Sequence, residues 1–289
     1  MRMNKQALSF LSPNEKSLMQ LIRMACLVLV AASLIGCAAP ALQGARPASA
    51  LNQQYGLAKS EVLARTDHTT QHLDDAKSIL YFQNQGGGGA ALGLLLGPFG
   101  VAANIEMIKG VTTADVEKLK GKLHLNPDAA LQQAAAATSL ALQAAASQGD
   151  VKVTPFIFVS KTNETDIHLS SVVLFEGEDG QKKWLRRYQY QLPGKYTLDE
   201  LSSLSEAQTS GVQAASTLAY GALLKYIAAE QDAAIAQEKK ITLTSAYLTP
   251  RFEMALPGSL IGEQEGRVWV RTMFGVYAVA PADIQIVKN

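Results

Sequence analysis

Two histidines at helical spacing form the pattern in this chain that most suggests metal chemistry. In the run His68-Thr69-Thr70-Gln71-His72, a helix would place the two imidazoles one turn apart, as a zinc site can use. The zinc protease motif also needs a glutamate directly after its first histidine as general base, and Thr69 stands there. The other two histidines, His124 and His168, lie far away in sequence. We therefore predict solvent-facing histidines, no metal site and no cofactor.

The sequence carries no signature of nucleophilic or acid–base catalysis. No serine lies in the Gly-x-Ser-x-Gly pattern that presents a nucleophile at a strand-to-helix turn. The carboxylates are scattered, with one group in a turn and another near a helix start: Glu176, Glu178 and Asp179, and Asp199 and Glu200. Turns and helix caps explain both groups, since acidic side chains bind free backbone N–H groups there. We predict no catalytic residues.

A basic cluster surrounds Trp184 and consists of Lys182, Lys183, Arg186 and Arg187. These cations could contact lipid phosphate or an acidic glycan. Lysines on an exposed strand edge also protect that edge from pairing with other chains. We favour the second interpretation.

An uncharged run from Met24 to Ile35 leads into the tetrad Leu34-Ile35-Gly36-Cys37. Twelve apolar residues are too few to cross a hydrocarbon core of about 30 Å as a helix, but they fit the centre of a secretory signal. Such signals also begin with positive charge, which Arg2, Lys5, Lys16 and Arg23 provide. The tetrad resembles the lipobox of bacterial lipoproteins.

This resemblance implies cleavage between Gly36 and Cys37 and attachment of a diacylglyceryl group to the Cys37 thiol, usually with a third acyl chain on the freed amine. Two or more acyl chains make a durable membrane anchor, whereas one myristoyl chain binds only marginally. An alanine at position 38, rather than aspartate, favours the outer membrane, with the protein facing the periplasm. Translation could begin at Met1 or at Met19, which would give a shorter signal.

Removal of residues 1–36 leaves 253 of the 289 residues, enough for a substantial hydrophobic core. Lys plus Arg falls from 26 to 22 and Asp plus Glu from 25 to 24, so the mature net charge is −2. This balance argues against a nucleic-acid partner, which would need clustered cations. Cys26 leaves with the signal, so no thiol other than Cys37 is expected in the mature chain.

The first half of the mature chain is predicted to be a flexible tether followed by helices. Residues 37–50 are small and nearly uncharged, and we interpret them as the tether. We predict a helical region over 51–150, in which Leu51–Gln85 shows patches of helical periodicity and 111–123 begins with a pattern similar to a capping box, Thr112-x-x-Asp115. Asn126-Pro127 predicts the start of an alanine-rich helix that runs to about Ser147.

The second half of the chain is predicted to be richer in strands. Over 151–240, three runs with strand character indicate an antiparallel three-stranded meander, covered by an amphipathic helix from Ser210 to about Gln237. Residues 241–289 read as a small C-terminal all-β unit, similar to a bacterial SH3 module. The predicted fold class is α+β.

The most unusual element of the mature chain is a glycine-rich apolar segment over residues 86–105. Gly89, Gly93 and Gly97 recur every fourth residue, so on a helix they would line one edge and permit close backbone contact. This spacing resembles the glycine zippers of some envelope proteins and suggests a membrane-inserting or oligomer-forming element. A buried hairpin or loop is the alternative, and a phosphate-binding loop is excluded because no Lys-Ser/Thr follows the glycines.

Taken together, these patterns predict a non-enzymatic lipoprotein of the cell envelope that binds or scaffolds a protein partner, or associates with itself. The anchor makes the membrane itself a partner. Two alternatives stay open: an envelope hydrolase acting on peptidoglycan or lipid, and an oligomeric pore-forming secretion lipoprotein.

Overall fold

The computed structural model describes residues 41–59, 70–83, 110, 112–138, 140–249 and 255–287. Within them, twelve strands form one mostly antiparallel sheet, and helices pack on one of its faces. The predicted α+β class is confirmed, but the sheet is much larger than a three-stranded meander. None of the helices within these ranges combines the length and the apolar character needed to cross a membrane.

The strands of the sheet are β1 Tyr55–Leu57, β2 Thr70–His72, β3 Ile79–Gln83, β4 Leu142–Gln143, β5 Val151–Lys161, β6 Ile167–Asp179, β7 Lys182–Gln191, β8 Lys239–Thr244, β9 Leu256–Gln264, β10 Arg267–Thr272, β11 Gly275–Val279 and β12 Gln285–Val287. The helices are α1 (112–119), α2 Pro127–Ala136, α3 Leu198–Ser202, α4 Glu206–Ala229 and α5 Asp232–Gln237. Strand order is β12-β8-β9-β10-β11-β7-β6-β5-β1-β4, with β3 also on β5 and β2 on β3.

The central meander β5–β6–β7 confirms the strands predicted between residues 151 and 192. Both pairings are antiparallel and continuous, from Lys152↔Glu176 to Lys161↔Ile167 and from Ser170↔Gln191 to Asp179↔Lys182. The chain reverses at Gly180, whose φ of 62° suits glycine because the left-handed region is costly for other residues. Alternating side chains of the meander therefore form two faces, one of which meets the helices.

Helix α4 is the predicted covering helix. It starts four residues earlier than expected, because Ser205 and Gln208 form a capping box that satisfies the first free N–H groups. It ends at Ala229, and α5 is a separate helix. Its buried stripe includes Val212, Leu223 and Ile227, and burial of each such side chain contributes about 1.5–3 kcal/mol.

The C-terminal strands join the same sheet, so the predicted separate all-β unit is wrong. Strand β11 pairs in parallel with β7, with Val276 opposite Tyr188. A Cβ at Gly275 would lie 2.8 Å from the Arg187 carbonyl oxygen, so only glycine permits this close approach. Trp269 and Val276 lie in the same apolar core as Tyr188, which ties the C-terminal strands to the meander.

The long helix predicted over Leu51–Gln85 is also wrong where the structure describes this region. Tyr55–Leu57 pairs in parallel with the first residues of β5, and Ile79–Gln83 pairs in parallel with its second half. The free edge of β5 offers backbone hydrogen bonds and an apolar surface, and these tertiary contacts override the weak helical pattern.

The helical stretches on either side of residue 125 are correct in type but not in detail. Residues 112–119 are helical, yet Thr112 Oγ1 has no hydrogen-bond partner in the part of the chain that the structure describes and does not form the predicted capping box. Helix α2 begins as predicted, with the Asn126 side chain accepting from the Ala129 N–H and Pro127 in the first turn. It ends at Ala136 rather than near Ser147, because Leu142–Gln143 pairs with β1.

Candidate functional site

The residues singled out from the sequence for anchoring and assembly lie outside the described ranges. These are Gly36, Cys37, Gly89, Gly93 and Gly97. His68 also lies outside them, and His72 sits at the end of β2. The described geometry near the proposed lipidation site therefore begins a few residues beyond Cys37, at residue 41.

The segment from Gln43 to Arg46, which we call the docked segment, binds the folded body of sheet and helices. The chain therefore does not form a free tether as far as residue 50. The Gln43 carboxamide pairs with the backbone of Arg187 in β7: its Nε2 donates to the carbonyl oxygen at 3.1 Å, and its Oε1 accepts from the N–H at 2.8 Å. The Gln43 N–H donates to the Thr272 carbonyl oxygen at 2.9 Å. Gln43 thereby joins β7 to β10 at a point where β11 does not pair with β7.

Contacts continue along the same segment. The Ala45 N–H donates to the Asp232 carboxylate at 3.2 Å, and the Ala45 carbonyl accepts from Arg186 Nε at 2.9 Å. Arg46 is 9% exposed and donates from Nη1 to the Tyr55 hydroxyl at 2.6 Å and from Nη2 to the Ile227 carbonyl at 2.9 Å. The prediction of a tether over 37–50 is thus wrong from Gln43 onward, because these polar groups bind fixed partners on the body.

A buried ion cluster holds this docked segment against the sheet and helix. Arg271 of β10 is fully buried and contacts Glu230 at 2.8 Å and Glu238 at 2.9 Å. Its Nη1 also donates to the Gln43 carbonyl oxygen at 2.9 Å, and its Nη2 donates to the Tyr226 hydroxyl. One guanidinium therefore joins the docked segment, the C-terminal end of α4, the start of β8 and β10.

The tyrosines around this cluster act as hydrogen-bond donors. The Tyr188 hydroxyl donates to Glu230 Oε2 at 2.6 Å. Burial, together with the neighbouring Glu230 carboxylate as the lesser cause, raises the pKa of Tyr188 well above its ordinary value. The phenol thus stays protonated, and its O–H group donates to a lone pair of the Glu230 carboxylate that Arg271 leaves free.

A second buried polar group lies on the opposite face of the sheet from α4 and centres on His168. The Gln191 amide donates to His168 Nδ1 at 3.0 Å and to the Asp283 carboxylate at 2.6 Å, while its oxygen accepts from the Ala280 N–H at 2.8 Å. That last bond fixes the amide orientation, so Nδ1 must accept. Burial is the main reason that the pKa of His168 is lowered, which favours the neutral imidazole.

A third group fixes helix α1. Asp115 accepts from Lys161 Nζ of β5 at 2.7 Å and from the Tyr81 hydroxyl of β3 at 2.5 Å. The local pattern predicted a capping role for Asp115, whereas its actual partners lie 34 and 46 residues away in the chain. This carboxylate holds α1 against the sheet.

The basic cluster predicted around Trp184 is divided between different roles. Lys182 and Lys183 are exposed on the part of β7 that β11 leaves unpaired, as expected for lysines that protect a strand edge. Arg186 binds the Ala45 carbonyl, and Arg187 Nη2 donates to Gln189 at 2.6 Å.

The acidic residues predicted at a helix start do lie there. Glu200 caps α3 together with Thr197, and Asp199 forms an ion pair with Lys118.

Within the described ranges, no three His, Cys, Asp or Glu side chains are grouped in a way that could hold a metal ion. The chain matches no family model, no curated protein and no solved structure.

Proposed function

We propose that this protein is a lipid-anchored lipoprotein of the outer membrane, facing the periplasm, with a non-enzymatic binding or scaffold role. The support for the anchor is the lipobox resemblance at Leu34-Ile35-Gly36-Cys37. The observation that carries the role is the docking of Gln43, six residues after Cys37. An extended chain spans at most about 3.6 Å per residue, so the six residues from Cys37 to Gln43 can span at most about 22 Å.

Such a short connection keeps the folded body at the bilayer surface. A long flexible tether would let the body sample a wide volume, whereas this one restricts it to the surface layer. A restricted position raises the effective concentration for partners in or on the same membrane. The arrangement suits a scaffold that meets its partner at the membrane.

We propose the glycine-rich segment 86–105 as the contact or assembly element. Its support is the four-residue spacing of Gly89, Gly93 and Gly97 and the absence of charge around them. Bulky residues at these positions would prevent close approach of a second backbone. The alternatives of an envelope hydrolase and of a pore-forming secretion lipoprotein stay predictions from the sequence.

Cross-linking in intact cells tests this function. The wild-type chain is compared with a Gly93→Leu/Gly97→Leu variant, and cross-linked partners and oligomer size are recorded. Gly110→Leu is the matched control, because an added side chain there meets nothing within 4 Å. We expect the double variant, but not the control, to lose partner or self-association; unchanged cross-linking would remove the segment from the proposal.

A further inference from the structure

A pocket of about 430 Å³ lies next to Arg46, where the docked segment, β1, the loop after α2 and helix α4 meet. Its volume falls in the range of ordinary small-molecule sites, about 300–1,000 Å³. Among the described residues that line it, Arg46 is the one charged residue, and the other polar groups are neutral. Apolar walls come from Leu140 and Leu224, among others.

Arg46 is a buried cation without a carboxylate partner among the residues that the structure describes. Its two hydrogen bonds go to the neutral oxygens of Tyr55 and Ile227, and its guanidinium carbon lies 5.5 and 5.4 Å from the ring centres of Tyr55 and Phe175. Arg271, the other buried arginine described above, binds two carboxylates. A buried charge is costly unless it is paired, so an anion bound beside Arg46 would offset that cost.

The donors for such an anion are available and held in place. Two bonds use two of the five N–H groups of Arg46, which leaves three without an acceptor in the described chain. The Tyr55 hydroxyl that accepts from Arg46 itself donates to the Ala50 carbonyl at 2.8 Å, which fixes the guanidinium.

We propose that this pocket binds the anionic head group of a small amphiphile, a carboxylate or phosphate ester that carries an acyl or alkyl chain. The guanidinium binds the anion, and the apolar walls take the start of the chain. A guanidinium favours carboxylate and phosphate because its planar N–H groups match two oxygens at once. This inference does not depend on the lipid anchor, because all the lining residues named here belong to the folded body.

The test measures binding of octanoate, octyl phosphate, inorganic phosphate and octanol to the full chain in nanodiscs, with empty nanodiscs as the baseline. We expect saturable binding of an eight-carbon anion and none of octanol or inorganic phosphate. Octanoate alone points to a fatty acid, and octyl phosphate alone to a phosphate ester such as a lipid head group. Binding of octanol equal to that of the anions, or of inorganic phosphate alone, would overturn the proposal, as would no saturable binding.

A variant pair at the rim separates binding from folding. Ala141 lines the pocket and is exposed, so its substitution leaves the contacts of Arg46 in place. Ala141→Glu offers Arg46 a competing carboxylate and should weaken octanoate binding roughly tenfold or more, the worth of a charged hydrogen bond. Ala141→Gln has the same shape without the charge and should bind within about threefold of wild type. Equal affinities of the two variants would contradict the role of Arg46.

Discussion

Replacing Arg271 by methionine tests whether the buried ion cluster holds the docked segment to the body. The substitution keeps most of the side-chain volume but removes the guanidinium that contacts Glu230, Glu238 and the Gln43 carbonyl. The Glu230 side chain is 1% exposed and that of Glu238 9%, so two carboxylates would be left buried together without a cation.

Breaking a buried ion pair by removing one partner costs about 3–5 kcal/mol, because the remaining charge is uncompensated. Two carboxylates remain here, so we expect a loss at the upper end of that range, near 5 kcal/mol. The free energy of unfolding of an ordinary domain is about 5–15 kcal/mol, so the variant should lose a third or more of it.

Urea unfolding followed by tryptophan fluorescence measures this loss, since Trp269 lies two residues from Arg271 in β10. Arg267→Met on the same strand is the matched control, because Arg267 is half-buried and donates to two backbone carbonyls, that of Gln191 at 3.2 Å and that of Gly266 at 3.4 Å. We expect the control to lose about 1 kcal/mol.

Adding Glu230→Gln and Glu238→Gln to Arg271→Met removes both buried charges and should restore part of the loss. An Arg271→Met variant no less stable than the control would refute the reasoning. So would a triple variant without any recovery.

Three further changes test other parts of the structure. His168→Gln should reduce the fall in melting temperature between about pH 7.5 and about pH 5.5. The pKa of buried His168 is lowered, so below about pH 6.5 the unfolded chain binds more protons than the folded chain, and the stability of the wild type falls there. Gly56→Ala should destabilise the folded protein by several kcal/mol in thermal unfolding, since the new Cβ would lie 2.3 Å from the Ala146 Cα. The control Gly121→Asn should cost little, because the space around Gly121 is open and asparagine tolerates its φ of 68°. Asn126→Ala should cost about 1 kcal/mol in urea unfolding through loss of the α2 cap, and no loss would show that the cap is dispensable.

The parts of the fold that the sequence predicts correctly are those with strong local patterns. Strand β5 is rich in strand-forming residues, one face of β6 and of β7 carries alternating apolar residues, and short connections join the three strands. Helix α4 carries a continuous apolar stripe. The pairings of Tyr55 with Val151 and of Ile79 with Ile157 join residues far apart in sequence, and no local pattern indicates them. For the same reason, the sequence does not predict the parallel pairing that brings the C-terminal strands into the sheet.

The docked segment is not predicted from the sequence because its composition is that of a linker. Residues 38–50 are small and show no periodicity, yet Gln43 and Arg46 bind partners that lie 144 and 181 residues away. The lone Arg46 in an otherwise uncharged run is the one available signal, since a solitary cation there has no evident local partner. Its burial depends on α4 and β6, whose relation to this segment exists only in the fold.

The lipid on Cys37 is the central claim, and intact-mass spectrometry of the protein purified from bacterial membranes tests it most directly. We predict a chain that begins at Cys37, with the added mass of a diacylglyceryl group and a third acyl chain, and loss of membrane association in Cys37→Ser. A free thiol at Cys37, or a chain that still carries residues 1–36, would contradict the proposal.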